Sequence, residues 1–180
     1  MLTTRFKICW VILLSIPMLM IQAGDLFAHA GHDDPVTISR GSRVYLREII
    51  PHYLLIQEKL ATGSSGDEII KAAMEIKQVM KEASLKEKDP SGRRMFTGVA
   101  SSADFIARAT TIDEAREGFS TLNDRLLPFF DAWPSHIKEH GLILYTCKGS
   151  KKWWLQKPGV PANPYDEDAR TCGELTQKGG

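Results

Sequence analysis

Residues 65–83 read Ser65-Gly66-Asp67-Glu68-Ile69-Ile70-Lys71-Ala72-Ala73-Met74-Glu75-Ile76-Lys77-Gln78-Val79-Met80-Lys81-Glu82-Ala83, and their spacing decides the fold class. Ile69, Ala72, Ala73, Ile76, Met80 and Ala83 recur at intervals of three and four residues, which places them on one face of a helix. Lys71, Glu75, Lys77 and Lys81 take the other face. Ser65 precedes Glu68 by three residues, a spacing at which each side chain satisfies a backbone N–H left free at a helix start. The stretch therefore predicts an amphipathic helix that stops before Lys88-Asp89-Pro90-Ser91-Gly92, where Pro and Gly punctuate the chain.

The same period extends in both directions. Upstream, Val44, Tyr45, Ile49, Tyr53, Ile56 and Leu60 predict a helix beginning near Ser42. Pro51 is expected to kink it by removing a backbone donor, and Thr62-Gly63-Ser64-Ser65-Gly66 is the connection. Downstream, Phe96, Val99, Ala100, Ala103 and Ile106 mark a shorter third helix. Thr111 and Glu114 repeat the capping spacing, and Ala115, Phe119, Leu122, Leu126, Phe129, Phe130, Trp133 and Ile137 continue a fourth stripe, which Pro128 and Pro134 are expected to bend or break. Four amphipathic helices with short connections predict an all-α fold, a four-helix antiparallel bundle over residues 42–140. Beyond Gly141 the signal changes. Leu142-Ile143-Leu144-Tyr145 suits a strand or an extended stretch, and Gly149, Pro158, Gly159, Pro161 and Pro164 leave no room for a useful helix. Residues 141–176 thus read as an irregular C-terminal tail packed on the bundle and anchored by Trp153, Trp154, Leu155 and Tyr165, with 177–180 a disordered end.

At the other end, Arg5 and Lys7 precede an apolar run from Ile8 to Ile21 and then the triplet Ala28-His29-Ala30. This is the layout of a signal peptide over residues 1–30, cut near Ala30. The run is about fourteen residues, short of the roughly twenty that span a bilayer. Cleavage rather than permanent membrane insertion is expected, in the periplasm or outside the cell. Residues 31–41 then read as a flexible arm. Removing the leader discards Cys9 and leaves 21 basic and 21 acidic residues, so no charge excess favours nucleic acid or anionic lipid.

Two cysteines remain, Cys147 and Cys172. In an oxidising compartment they suit a disulfide. The competing reading makes them thiolate ligands, because His136 and His140 lie four apart on one helical face and Cys147 follows seven residues later; thiolate with imidazole suits copper(I) or zinc. A free amine at Gly31 together with His32 is a weaker copper(II) candidate that requires cleavage after Ala30. The sequence contains no His-Glu-x-x-His, Gly-x-Ser-x-Gly or phosphate-loop motif. A non-enzymatic role is expected.

Tyr145 and Cys147, then Trp154-Leu155, then Asn163-Pro164-Tyr165 and Cys172-Gly173-Glu174 resemble, in order and approximate spacing, the C-terminal signature of a family of periplasmic helical domains of unknown function. Those domains occur alone or appended to the membrane-fusion adaptors of copper and silver efflux systems. The resemblance covers most of the chain after the leader and implies a periplasmic helical bundle linked to heavy-metal handling, with a metal ion or an efflux component as partner. The chain departs from that pattern beside both cysteines. Family members often place Pro-Met after the first and a Met shortly before the second, whereas here the residues are Cys147-Lys148-Gly149 and Asp168-Ala169-Arg170-Thr171-Cys172. The expected function is therefore a module that binds or passes on a heavy metal such as copper, or a structural or protein-interaction domain with a Cys147–Cys172 disulfide and no metal.

Overall fold

A computed structural model describes residues 37–64, 66–132, 140–150 and 152–175. The expected leader, Trp133, Pro134, His136 and Ile137 lie outside the described residues, as does the side chain of Phe130. Among the described residues four α-helices precede the tail: α1 Arg43–Ala61, α2 Asp67–Lys86, α3 Pro90–Ala107 and α4 Ile112–Ala132. The tail then forms β1 Ile143–Cys147, β2 Lys152–Gln156 and β3 Glu174–Leu175. These make an antiparallel sheet in the order β2-β1-β3, with Tyr145 opposite Trp154 on one side and Leu175 on the other.

The fold is thus mostly helical, and the all-α expectation is corrected by this small sheet. Its physical basis lies in residues that the helical reading treated singly. Lys152-Trp153-Trp154-Leu155-Gln156 is rich in aromatic side chains that fit a pleated, half-buried surface, and a turn at residues 148–150, with Gly149, follows β1.

Periodicity placed the helical core well. Every expected position of α2 and α3 is buried, Ile69, Ala72, Ala73, Ile76, Met80 and Ala83 on one and Phe96, Val99, Ala100, Ala103 and Ile106 on the other. Each buried aliphatic or aromatic side chain contributes about 1.5–3 kcal/mol of transfer free energy. On α1 the stripe is displaced: Val44 is exposed, and Leu46 and Ile50 are buried instead. Both helices expected to bend run on without a break, α1 through Pro51 and α4 through Pro128. Pro51 is exposed, so its ring costs α1 no core packing.

The helix starts divide in an instructive way. At α4 the Glu114 carboxylate accepts from the Thr111 N–H at 3.2 Å and the Thr110 N–H at 2.7 Å, while Thr111 Oγ1 accepts from the Glu114 N–H at 3.2 Å. This is the expected reciprocal cap. At α2 the cap residue is Gly66, Glu68 pairs with Lys59, and Ser65 lies outside the described residues. At α3 the Asp89-Pro90 pair, read as a stop, is also a start. Asp89 Oδ1 accepts from the N–H groups of Ser91 and Gly92, and Pro90 occupies the first turn, where its missing donor costs nothing.

Glu87 ties the start of α1 to the α2–α3 turn. Its residue is buried, and its carboxylate accepts from the backbone N–H groups of Ser39 at 3.0 Å and Asp89 at 2.9 Å. Burial pushes its pKa up, but hydrogen bonds from the Ser42 hydroxyl and from the N–H groups of Asp89, Ser39 and Lys88 outweigh this and hold it below the ordinary 4.5. A carboxyl with a depressed folded pKa contributes stability that is present above its unfolded pKa and lost as pH falls through its folded value. Glu87→Gln is therefore expected to cost about 1–3 kcal/mol at neutral pH, with the difference from the parent shrinking as pH falls below 4.5. Urea unfolding of both chains at several pH values checks this, and a pH-independent difference would remove Glu87 as the source.

Candidate functional site

Two of the apolar stripes carry a polar residue in a buried slot. Tyr53, Ile56, Gln57 and Leu60 follow the i, i+3, i+4, i+7 rule on α1, and Phe119, Leu122, Asn123 and Leu126 follow it on α4. All are buried. Composition and motif reading passed over Gln57 and Asn123, yet their place within the stripes is the sequence signal that identifies them, since a buried amide requires partners.

Those partners come from the tail. The Tyr53 hydroxyl donates to Asn123 Oδ1 at 2.6 Å and accepts the Leu155 backbone N–H at 2.9 Å. Asn123 Nδ2 donates to the Phe119 carbonyl at 2.9 Å and to the Tyr165 hydroxyl at 2.8 Å. The Tyr165 hydroxyl in turn donates to the Trp153 carbonyl at 2.5 Å. Burial, which outweighs the hydrogen bond received from the Leu155 N–H and the one made to Asn123, pushes the Tyr53 phenol far above its ordinary 10.0. Burial, followed by the neighbouring Tyr53 and Asp124, likewise raises Tyr165. Both phenols stay protonated and can donate. Because β2 is an edge strand, this arrangement also occupies backbone groups that would otherwise be available to pair with another strand.

The anchors expected from the sequence are present. Trp154 is fully buried, stacked on Tyr145 with ring centroids 5.8 Å apart and edge-on to Tyr165 at 6.2 Å. Its indole N–H donates to Gln156 Oε1 at 3.1 Å, which also accepts the Ala162 N–H at 2.9 Å. Asn163 Oδ1 accepts the Tyr165 N–H at 3.0 Å, and Asn163 Nδ2 donates to the Ala169 carbonyl at 3.1 Å. Gly173 is required by packing: a Cβ there would run into Pro161 and stand 3.2 Å from the Trp154 ring. The motif residues Trp154, Asn163, Tyr165 and Gly173 are all engaged in holding the tail together.

Cys147, at the end of β1, and Cys172, just before β3, are joined as a disulfide with their Cα atoms 5.4 Å apart, inside the range such bonds span. While the bond stands neither sulfur is the thiolate a copper(I) or zinc site needs. Lys148 and Arg170, the cations beside the cysteines, are paired with Glu174 and Glu167. His140 is exposed in the turn before β1, and His136 lies outside the described residues. Among the described residues no group of three or more His, Cys, Asp or Glu side chains is placed to hold a metal ion.

A cleft of about 680 Å³ opens between α1 and the tail. Pro51, Leu54, Leu55 and Ala61 line the helix side, and Pro158, Pro161 and Ala162 the tail side. Gln57 bridges them by donating from Nε2 to the Ala162 carbonyl at 2.7 Å. Glu58 stands on the helix wall, and Lys157 and Arg170 on the tail wall. A volume of this size falls in the range of small-ligand sites. In comparisons with known proteins no family model matches the chain, and no curated protein or solved structure matches it.

Proposed function

We propose that the chain is an exported, non-enzymatic structural or protein-interaction module, in which four helices arranged as an antiparallel bundle carry a disulfide-stapled tail. The observation that carries this reading is the Cys147–Cys172 bond. A disulfide between two tail segments suits an oxidising compartment, as does the signal-peptide layout of residues 1–30. The side chains that make the tail motif recognisable are spent on internal packing and hydrogen bonds, so the motif has a structural explanation that requires no metal.

A second reading, binding or transfer of copper or zinc within a heavy-metal efflux system, rests on the likeness of that tail to the efflux-associated family and on His136 and His140. It needs the two sulfurs freed by reduction. Thiol titration of the unfolded, unreduced protein beside copper(I) and zinc titrations of the folded protein separates the two. The first reading expects no reactive thiol and no stoichiometric metal uptake. Stoichiometric copper(I) binding by the folded protein that disappears in Cys147→Ser would reject it in favour of the second.

A further inference from the structure

We propose that the end of the fold where the starts of α1 and α3 meet the close of α2 binds the anionic headgroups of a membrane. The proposal goes beyond the module reading and rests on its exported part. The 21 basic and 21 acidic residues left after the leader balance overall, and that balance conceals a segregation. At this end the Ser39 N–H donates to the Glu87 carboxylate, and a Cβ on Gly92 would stand 2.8 Å from Ile38 Cγ2. Arg40, Arg43 and Arg47 on one side of that junction, and Lys88, Arg93 and Arg94 on the other, are all exposed. The carboxylates beside them are engaged elsewhere. Glu87 accepts from the N–H groups of Ser39 and Asp89, Asp89 caps α3, and Glu82 pairs with Lys86. Arg93 donates to the neutral Glu87 carbonyl at 3.0 Å. Glu48 is the other exposed carboxylate among the described residues of this end.

Helix stability does not account for the excess. Anions favour helix starts and cations helix ends. The helices α2 and α4 obey, opening with Asp67 and Glu68 and with Asp113 and Glu114. Neither α1 nor α3 has an acidic residue in its first turn. Instead Arg43 opens α1, and Arg93 and Arg94 follow directly on the first turn of α3, where positive charge opposes the dipole. Val44 lies among the arginines of α1 and is 55% exposed. An apolar side chain amid cations suits the boundary between headgroups and acyl chains, whereas a soluble polyanion meets the charge but has no apolar layer for Val44. The course of the chain supplies the membrane. With the leader cut near Ala30, Thr37 follows by seven residues, which reach at most about 25 Å, so this end of the fold is released beside the bilayer.

Cosedimentation of the chain from Gly31 onward with vesicles tests the assignment, using phosphatidylcholine alone and phosphatidylcholine with phosphatidylglycerol in equal parts, beside a titration with heparin. Binding to the anionic vesicles alone is expected, weakening as salt rises. A cation near an anionic surface changes partition about fivefold, so Arg40→Gln, Lys88→Gln and Arg94→Gln together should weaken binding on the order of a hundredfold. Lys71→Gln with Arg108→Gln, toward the opposite end, should leave it within about twofold, because salt screens charges that far from the surface. Val44→Ser should weaken vesicle binding and leave any heparin binding unchanged. All these side chains are exposed, so the circular dichroism spectrum should match the parent in each variant. The proposal is overturned if anionic vesicles do not retain the folded chain, or if the two sets of charge changes weaken binding alike. Heparin binding without vesicle binding also overturns it and assigns this end to a soluble polyanion. Absence of vesicle binding in a sample without reactive thiols removes the membrane contact and leaves the stapled-module reading standing. Stoichiometric copper(I) uptake lost in Cys147→Ser removes that reading instead, whatever the vesicles show.

Discussion

Trp154→Ala is expected to lower the unfolding free energy by about 3–5 kcal/mol, the range for truncating a large buried aromatic. Trp154 has no exposed surface, and its ring is enclosed by Tyr145, Tyr165 and the close approach of Gly173. Alanine would leave a cavity whose walls are themselves fixed. Tyr165 is held through its hydroxyl to Asn123 and the Trp153 carbonyl, and Tyr145 through its hydroxyl to the Gly159 carbonyl at 3.0 Å. Such walls cannot collapse inward without breaking these bonds, which places the loss toward the upper end of the range. Trp154→Phe keeps a ring in the stack, gives up the bond to Gln156 and should cost about half as much. Urea unfolding followed by far-ultraviolet circular dichroism gives both numbers. A loss below 1 kcal/mol for the alanine variant would mean that the tail and the helices do not share one core.

How much of this was legible beforehand depends on the kind of interaction. The faces of α2 and α3 were read position by position, because Ile, Met, Phe and Ala at three- and four-residue spacing have one way to be buried together. The Thr111–Glu114 cap was legible because both partners lie within one turn. At α2, where Ser65 lies outside the described residues, the cap residue is Gly66 and Glu68 meets Lys59 across the α1–α2 turn, a tertiary partner that local spacing does not announce. Val44 was misassigned because Tyr45, Leu46, Ile49 and Ile50 offer α1 more apolar positions than a single stripe can bury, and the choice is made by neighbouring helices. The hairpin was only half visible. Leu142 to Tyr145 suggested a strand, but the backbone groups of Trp153 and Leu155 find their partners in the hydroxyls of Tyr165 and Tyr53, one of them 102 residues away in sequence. Nothing local to residues 152–156 announces that. At the site, the pairing of Cys147 with Cys172 was one of two readings supported by composition and compartment. The amides of Gln57 and Asn123 were hidden by the habit of reading polar residues as solvated, although their slots in the stripes were plain.

Removing the disulfide by the double change Cys147→Ser, Cys172→Ser is expected to destabilise the chain by about 3.5 kcal/mol in the chain-entropy model for a loop of 25 residues. The structural effect should be narrower than that number suggests. The bond ties β1 to the segment just before β3, two parts of the tail, whereas the tail is held to the helices by Tyr53 on Leu155, Asn123 on Tyr165 and Gln57 on Ala162. None of those contacts passes through sulfur. In the folded variant the helices and β2 should therefore stay docked, with helical ellipticity preserved, while β3, which pairs with β1 only at Tyr145 and Thr146, loses its covalent tether. Amide exchange is the discriminating measurement. Exchange should accelerate most at Thr146, Glu174 and Leu175 relative to Leu155, whose N–H remains bound to the Tyr53 hydroxyl. Equal acceleration at Leu155 and Glu174 would show that the staple holds the whole tail on the bundle, and that the phenol and amide contacts cannot do so without it.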